Sequence, residues 1–269
     1  MVEKLQAISL DVRKKIIELS FRAGKNSAHV GGSLSCVEIL TVLYHSIMKK
    51  SQNTEERDRV ILSKGHSSLA HYCVLNSVGL ISDEELNTFE QNGSHYTAHA
   101  KKDISKGLEF TGGSLGLGIS YAVGVAEALK EKQSAAKVYT IVGDGECNEG
   151  IVWEALMFAA HRNLTNLVVI VDKNNLQADG TTKEVMNTES LDSKFQSFGF
   201  NAMLCNGHSV EELINCFNAT KDDMPNVIIA ETVKGKGVSF MEGKTQWHFS
   251  QLPEKKYLKA ITELNNSVL

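Results

Sequence analysis

Three short and nearly unbroken apolar runs most constrain how this chain can fold. They cover residues 138–142, 167–171 and 227–230, and such runs are typical of strands that are buried on both faces of a parallel sheet. Between them, residues 150–161 and 210–219 carry apolar residues at helical spacing. This alternation predicts an α/β fold with an open, mostly parallel sheet and helices on both faces. Ligands of such sheets bind beyond the carboxyl ends of the strands.

The first half of the chain carries similar patterns more weakly. Helical spacing predicts helices over residues 5–23 and 33–48, and residues 59–63 form a candidate strand. Residues 116–132 predict an Ala-rich helix, in which we expect Gly124 to lie on a closely packed side. Because no internal repeat or linker-like stretch interrupts the sequence, we expect residues 1–269 to form a single domain.

Composition limits the class of protein and its partners. The formal net charge is -4 and charged residues make up 22% of the chain, which gives no reason to expect a nucleic-acid or membrane-surface partner. The five cysteines form no C-x-x-C pair, which favours free thiols in a reducing compartment. Residues 1–10 include acidic and basic residues and no apolar core, so we expect no signal peptide. No apolar stretch approaches the roughly 20 residues that a membrane span needs. We therefore expect a soluble, cytoplasmic protein.

The strongest candidate for a ligand site is Gly143-Asp144-Gly145, which begins where a predicted strand ends. Asn174 comes thirty positions after Asp144 (174 minus 144), just past the next predicted strand. The Asp144 carboxylate, the Asn174 amide oxygen and the backbone carbonyl of Leu176 would supply the hard oxygen ligands that Mg²⁺ prefers. Gly-Asp-Gly alone is more typical of a tight turn, and the pairing of the two sites is what favours a metal.

This pairing resembles the diphosphate-binding motif of thiamine diphosphate enzymes, in which Gly-Asp-Gly is followed at similar spacing by Asn-Asn, here Asn174-Asn175. Further stretches resemble the transketolase family in particular and keep its motif order from about Leu5 to His248. They are residues 27–35, 62–67 and 111–118, and residues 232–238 with Trp247-His248. The resemblance implies an enzyme that transfers a two-carbon ketol unit from a ketose, phosphorylated or otherwise anionic, to an aldose, with thiamine diphosphate as the electron sink.

The resemblance also implies roles for individual residues. The metal, either Mg²⁺ or in its place Ca²⁺ or Mn²⁺, would be held by Asp144, Asn174 and the Leu176 carbonyl. The residues expected to bind thiamine diphosphate are His66, Gly113, Ser114, Leu115, Gly143, Asp144, Gly145, Asn174, Lys234 and His248. The residues expected to face the substrate hydroxyls and move protons are His29, His99 and His248. Glu149 would lie at a subunit contact.

The position of one of these histidines is open. The family usually has Gly-His-Pro where this chain has Ala98-His99-Ala100, and the segment up to Gly113 is one residue longer, so His95 is an alternative to His99. An isolated histidine is more often a surface or core residue than a functional one. On that ground no role follows for the remaining histidines, which are His45, His71, His161 and His208.

In the resemblance, part of the active site lies on a second domain, which grips the aminopyrimidine ring and carries a catalytic glutamate. The sequence reaches Leu269 just after the first domain. We therefore expect the partner to be a separately encoded C-terminal transketolase subunit, in an α2β2 heterotetramer that acts on small sugar substrates.

Three other classes stay open at this point. The α subunit of a 2-oxo acid dehydrogenase shares Gly-Asp-Gly and Asn-Asn. The stretches Ser63-Lys64-Gly65-His66 and Trp247-His248 argue against this class. An enzyme similar to 1-deoxyxylulose 5-phosphate synthase has similar loops but is usually undivided. The third class is a regulatory protein that binds thiamine diphosphate without catalysis.

Overall fold

Five parallel strands form the sheet in the part of the chain that the computed structural model describes, which is residues 1–51, 53 and 55–266. The strands are β1 (Arg59–Leu62), β2 (Val138–Gly143), β3 (Leu167–Lys173), β4 (Asn201–Asn206) and β5 (Asn226–Glu231). Their order is β1-β2-β3-β5-β4, and every neighbouring pair is parallel. The three apolar runs are the central strands β2, β3 and β5. The predicted parallel α/β fold is therefore confirmed.

Helices cover both faces of this sheet. The helices of the first half are α1 (Val2–Arg22), α2 (Val30–Ser35), α3 (Val37–Val42), α4 (Ser68–Ser77), α5 (Asp83–Leu86) and α6 (Leu117–Glu131). The helices of the second half are α7 (Gly150–His161), α8 (Thr182–Met186), α9 (Leu191–Ser197), α10 (Val210–Asn218) and α11 (Glu254–Asn266). None of these described helices has the length and apolar character to cross a membrane.

Alternate residues of each central strand pack into two separate cores. In β2, Tyr139 and Ile141 lie in the core that contains residues of α1, α3, α4 and α10. Val138 and Val142 lie in the core that contains residues of α6, α7 and α9. Successive side chains of a strand point to opposite faces, so a strand that is covered on both faces needs apolar residues at every position. This explains why these strands appear in the sequence as continuous apolar runs.

The single helix that was predicted over residues 33–48 is three pieces in the structure. Cys36 leaves the helical conformation between α2 and α3, and a π-helical turn follows at Leu43–Ile47. Residues on both sides of the break turn toward buried polar partners. The Ser35 hydroxyl donates to Asp172 at 2.5 Å, and Glu38 pairs with the Arg13 guanidinium. These long-range polar contacts compete with the apolar periodicity from which the continuous helix was inferred.

The edge strand β4 was not predicted. Its outer side has no neighbouring strand, and most of its residues are partly or fully exposed, with Leu204 at 54%. Residues 202–205 are apolar but include no β-branched residue, whereas β5 has Val227, Ile228 and Ile229. The short apolar segment of β4 therefore carries little strand signal.

The expectation that Gly124 lies on a closely packed side of α6 is wrong. Gly124 is exposed, and a Cβ at that position would meet no heavy atom within 4 Å. The buried side of the helix is formed by Ala122, Val123 and Ala126. The close approach occurs instead at Gly118, where a Cβ would lie 2.4 Å from the Cα of Ser63.

Candidate active site

The loops that follow β1, β2, β3 and β5 surround one cavity of about 280 Å³ at the carboxyl edge of the sheet. The predicted site residues that line it are His29, His66, His99, Gly113, Leu115, Gly143, Asp144, Gly145, Asn174, Leu176, Lys234 and His248. Ser114 and Glu149 are exposed and lie outside this lining. Segments that are far apart in the sequence therefore meet at the place where a parallel sheet binds its ligands.

The predicted metal ligands lie together on one wall of the cavity. The buried Asp144 carboxylate accepts hydrogen bonds from the backbone N–H groups of Gly145 and Asn175, at 2.8 and 2.5 Å. The Asn174 amide oxygen accepts the N–H of Leu176 at 3.1 Å. Among the described residues, no three His, Cys, Asp or Glu side chains form a metal cluster. A metal at this wall would thus depend on the Asn174 and Leu176 oxygens in addition to the one carboxylate.

The charge state of Asp144 fits a bound cation. Burial, and then the nearby Asp172, raise the pKa of the Asp144 carboxyl to about 6. No described Lys or Arg side chain forms a salt bridge with this carboxylate. A divalent cation would offset the cost of holding it charged in a buried position. The oxygen donors present are hard ligands, so the residues of this wall fit Mg²⁺.

The Lys234 side chain lines the cavity and contacts the loop that carries Leu176. Its ammonium donates to the backbone carbonyls of Leu176 and Gln177, at 2.9 and 3.0 Å, and lies 3.4 Å from Nδ1 of His248. Burial, and then the charge of Lys64, lower the pKa of the Lys234 amine to about 8. A carbonyl oxygen has two lone pairs, so the Leu176 carbonyl can accept from Lys234 and still serve as a metal ligand.

Four histidine rings that line the cavity cluster together. The ring centroids of His29 lie 5.2 Å from His99, 5.4 Å from His248 and 5.8 Å from His66. Burial first, and then neighbouring cationic groups, lower the pKa of His29 to about 3 and of His248 to about 4, and burial also lowers the pKa of His66. These three rings are therefore neutral near pH 7, a state in which each has one nitrogen that can accept a proton.

One ring nitrogen of this cluster has no partner. Nδ1 of His29 is buried and forms no hydrogen bond with any described residue. The amide nitrogen of Gln177, which also lines the cavity, is likewise buried without a partner among the described residues. Buried polar atoms in folded proteins are nearly always satisfied. Two unpaired polar atoms in one cavity therefore indicate a place for a polar ligand.

The structure separates the two histidines that the sequence left as alternatives. His99 lines the cavity, with its ring against His29. His95 points away, 3.8 Å from the Asp103 carboxylate, with 44% of its side chain exposed. His95 lines a different, open depression of the surface. Of the two, His99 has the position from which a side chain can reach a ligand in the cavity.

Comparison with known proteins decides which family has this site. The family model of the transketolase thiamine diphosphate binding domain matches residues 12–265. The chain belongs to the transketolase family. The resemblance inferred from the motifs is thereby confirmed.

Two transketolase relatives match the chain over nearly its whole length. It is 38% identical over 273 residues to a subunit of the apulose-4-phosphate transketolase of Phocaeicola vulgatus, covering 99% of this chain and 96% of the relative. It is 39% identical over 258 residues to a 6-deoxy-6-sulfo-D-fructose transketolase subunit of a Clostridium species, covering 94% and 93%. These matches favour a transketolase subunit over the 2-oxo acid dehydrogenase and deoxyxylulose phosphate synthase alternatives.

Solved transketolases have the same fold. The transketolase of Campylobacter jejuni superimposes with a TM-score of 0.90 at 32% identity, covering 98% of this chain and 43% of that protein. The transketolase of Leishmania mexicana gives 0.87 at 28% identity, covering 97% and 41%. The chain thus spans less than half the length of these solved transketolases.

Several residues of this transketolase site were not predicted from the sequence. The buried Asp172 carboxylate accepts from Lys64, from Ser35 and Thr232, and from the Asn174 amide nitrogen at 3.3 Å. It thereby orients the amide so that the Asn174 oxygen is left for other partners. The available signal was an acidic residue at the end of an otherwise apolar run.

Glu146 was also not predicted, although it directly follows Gly-Asp-Gly. Its buried carboxylate accepts from the Ser63 hydroxyl and from the backbone N–H groups of Gly116 and Gly143, at 2.8 and 3.0 Å. It ties the loop before α6 to the ends of β1 and β2. Burial raises the pKa of the Glu146 carboxyl, and its three donors stabilise the negative charge.

Proposed function

We propose that this protein is the cofactor- and metal-binding subunit of a transketolase that transfers a two-carbon ketol unit from a ketose to an aldose. One observation carries the proposal: three oxygen donors, from Asp144, Asn174 and Leu176, lie in the same cavity as four histidines. The oxygen donors suit a hard divalent cation. Neutral histidines suit proton transfer to and from sugar hydroxyls. Ketol transfer requires both groups in one site.

In this proposal the chain supplies the metal- and diphosphate-binding part of the site for thiamine diphosphate with Mg²⁺, for which Ca²⁺ or Mn²⁺ could substitute. Asp144, Asn174 and the Leu176 carbonyl would hold the metal. The residues that would bind the diphosphate are His66, His248, Lys234 and Gly143; Gly113, Ser114, Leu115 and Gly145 would contact the rings. When bound, thiamine diphosphate supplies a carbon nucleophile and an electron sink.

The histidines would act on the substrate rather than on the metal. The rings of His99 and His248 both pack against His29 in the lining of the cavity, so a sugar bound beside this cluster would have its hydroxyls within reach of several rings. The low pKa of His29 and of His248 keeps both rings neutral near neutral pH, so that each has a nitrogen that can accept a hydrogen bond from a substrate hydroxyl. The unpaired Nδ1 of His29 is the atom that we assign to a substrate hydroxyl.

The proposal includes a separately encoded partner subunit. Both relatives described above are matched over more than nine-tenths of their own length and are named as subunits of transketolases. We propose that the partner contributes the pyrimidine-binding domain and the catalytic glutamate, in an α2β2 heterotetramer. Glu149, which is exposed in this chain, would lie at a subunit contact.

The remaining features of the proposal concern the substrate and the setting. The same two relatives are named for a phosphorylated and a sulfonated sugar, and we propose a sugar with an anionic end group as the substrate here. We also propose that residues 1–269 form one domain, and that the protein acts in the cytoplasm. The described cysteines are all free thiols, which fits a reducing compartment.

Two measurements on the complex with its partner test the proposal. Calorimetric titration of thiamine diphosphate with Mg²⁺ should show binding that is lost in Asp144→Ala. The matched control is Asp222→Ala, which removes a surface carboxylate (91% exposed) outside the cavity and should leave binding unchanged. Carbon-13 label in the first two carbons of a ketose donor should then appear in a new ketose only when an aldose acceptor is present.

Either measurement can contradict the proposal. If the complex does not bind thiamine diphosphate, the assignment of the cavity is wrong. If it binds the cofactor but transfers no label to any anionic aldose, a non-catalytic binding protein is the better description.

A further inference from the structure

His208 connects two parts of the structure although it does not line the cavity. Its Nδ1 lies 2.9 Å from the Glu38 carboxylate, and its Nε2 lies 2.9 Å from the backbone nitrogen of Val233. Val233 directly precedes Lys234, which does line the cavity. The sequence pattern assigned no role to His208, whose side chain is only 12% exposed in the structure.

The two contacts fix the protonation of the ring. The Val233 N–H can only donate, so Nε2 must be the unprotonated nitrogen, and Nδ1 carries the hydrogen that it donates to Glu38. Glu38 is held in turn by the Arg13 guanidinium at 2.6 Å, and Arg13 also donates to the Leu34 carbonyl at 2.9 Å. Although burial raises the pKa of Glu38, Arg13 and His208 lower it below its usual value, so the group is a carboxylate.

The segment that His208 contacts is attached to the cavity on both sides of Val233. The Thr232 hydroxyl donates to the buried Asp172 carboxylate, and the Lys234 ammonium donates to the carbonyls of Leu176 and Gln177. Between these two anchors, the contact of the Val233 N–H is the bond to His208. The three consecutive residues therefore each have their own contacts: Thr232 with Asp172, Val233 with His208, and Lys234 with the Leu176 and Gln177 carbonyls.

The packing around this segment leaves little room for adjustment. Gly207, the neighbour of His208, lies so close to the segment that a Cβ there would be 2.5 Å from Cγ2 of Thr232 and 3.0 Å from Cβ of Ala230. A shift of the backbone at Val233 would therefore be transmitted to Thr232 and Lys234. Interiors that are packed in this way transmit small displacements.

We propose that His208 is a positioning residue for the cofactor site. By accepting the Val233 N–H, it fixes the backbone of residues 232–234, and so places the Lys234 ammonium against the loop that carries Leu176. The inference rests on the proposed function, because the consequence of misplacing Lys234 is weaker binding of an anionic cofactor. His208 itself would touch neither the cofactor nor the substrate.

Two amide substitutions separate positioning from simple packing. His208→Gln keeps an acceptor near the place of Nε2, and so can still accept from Val233, but it loses the donor to Glu38. His208→Asn keeps a donor near the place of Nδ1, and so can still reach Glu38, but it loses the acceptor for Val233. Because Asn is also one methylene smaller than Gln, loss of the acceptor must be identified from the exchange of the Val233 amide and not from stability alone.

The experiment measures two quantities in the complex with the partner subunit. The first is the hydrogen-exchange rate of the Val233 amide, and the second is the Kd for thiamine diphosphate at saturating Mg²⁺. For His208→Asn we expect faster exchange and a Kd about tenfold higher, as for the loss of one buried hydrogen bond, with kcat at saturating cofactor within about twofold. For His208→Gln we expect protection of the amide and a Kd within about twofold of the unmodified protein.

His71→Asn is the matched control. His71 is also buried, and its Nε2 lies 2.7 Å from the Tyr44 hydroxyl, outside the cofactor cavity. The control removes an equivalent contact, so it should lower Tm and leave both the Val233 exchange rate and the Kd unchanged.

The outcomes that overturn the inference are distinct from those that overturn the proposed function. Two results would contradict positioning by His208. The first is a similar rise of Kd in His208→Asn and His208→Gln. The second is an unchanged Kd in His208→Asn although its Val233 amide exchanges fast. If the Asn variant does not fold, the Gln variant still decides, because the inference requires it to bind normally. An unmodified complex that fails to bind thiamine diphosphate contradicts the proposed function, and the exchange rates then still test whether His208 anchors Val233.

Discussion

The Lys64 ammonium and the Asp172 carboxylate form a salt bridge at the base of the cavity, with side-chain exposures of only 1% and 0%. Burial opposes both charges, but each charge holds the other: the pKa of Lys64 is raised and the pKa of Asp172 is lowered. Asp172 also accepts from Asn174. The pair therefore helps to hold Asn174, one of the proposed metal ligands, in position.

Removing one member of this pair should be costly. Lys64→Met leaves the Asp172 carboxylate buried without its main partner, and we expect it to lower the free energy of unfolding by about 3–5 kcal/mol. Adding Asp172→Asn removes the uncompensated charge and should restore part of that loss. Urea denaturation of the single and double variants measures both values. A double variant that is no more stable than Lys64→Met would contradict the electrostatic explanation.

A surface pair provides the control for this prediction. Lys132 and Glu55 also form a salt bridge, but their side chains are 58% and 62% exposed. Solvent screens such pairs strongly. Lys132→Met should therefore leave the denaturation midpoint nearly unchanged under the same conditions.

Two glycines of helix α6 should respond in opposite directions to alanine. At Gly118 a Cβ would lie 2.4 Å from Cα and 2.7 Å from Oγ of Ser63, and we expect Gly118→Ala to lower the free energy of unfolding by about 1–3 kcal/mol. At Gly124 no atom lies within 4 Å of the new Cβ, and Gly124→Ala should stabilise the helix by about 0.5–1 kcal/mol. Thermal and urea denaturation measure both changes. Equal effects at the two positions would show that contact with Ser63 does not decide the outcome.

Burial of His71 should make stability depend on pH. Burial lowers the pKa of His71 to about 4, whereas a histidine in the unfolded chain titrates near about 6.5. Below the unfolded pKa the unfolded state binds the proton first, so stability is lost as the pH falls from about 6.5 toward the folded pKa. Near pH 5 this costs about 1–2 kcal/mol relative to neutral pH.

The variant His71→Gln isolates this effect. Its amide can keep a hydrogen bond with the Tyr44 hydroxyl, which now contacts Nε2 of His71, but it does not titrate. Urea midpoints at neutral pH and near pH 5 should therefore differ less in the variant than in the unmodified protein. An unchanged difference would assign the acid sensitivity to other groups.

The fold could be predicted from the sequence where a single element carries its own signal. The strands β2, β3 and β5 are covered on both faces and therefore apolar at successive positions, and α7 begins and ends at the predicted residues, Gly150 and His161. The strand β4 could not be predicted in this way, because its short apolar segment, residues 202–205, contains no β-branched residue.

In the candidate site, too, some residues could be predicted from the sequence and others could not. Asp144, Asn174 and three of the cavity histidines each lie in a short motif that resembles the family, so each could be identified from its immediate neighbours in the sequence. The supporting contacts join residues that are far apart: Lys64 and Asp172 are separated by 108 positions, and Glu38 and His208 by 170. No local pattern in one sequence specifies such pairs, and their roles follow only from the folded structure.

Lys234 should make cofactor affinity depend on pH in the alkaline range. Its amine has a pKa of about 8, lowered by burial and then by Lys64, so the ammonium is charged near neutral pH. A bound diphosphate favours the charged form, and binding above the pKa must therefore take up a proton. We expect the affinity for thiamine diphosphate, at constant Mg²⁺, to fall by up to about tenfold per pH unit above pH 8.

Three substitutions test whether Lys234 is the group responsible. Lys234→Met should bind more weakly near neutral pH and lose the alkaline decline, whereas Lys234→Arg should keep its charge across this range and also lose the decline. Lys236→Met is the control, because Lys236 is 39% exposed and pairs with Glu242 outside the cavity. Calorimetric Kd values over a pH series measure all four proteins. An alkaline decline of the same slope in Lys234→Met would show that another group titrates, and that the ammonium does not contact the diphosphate.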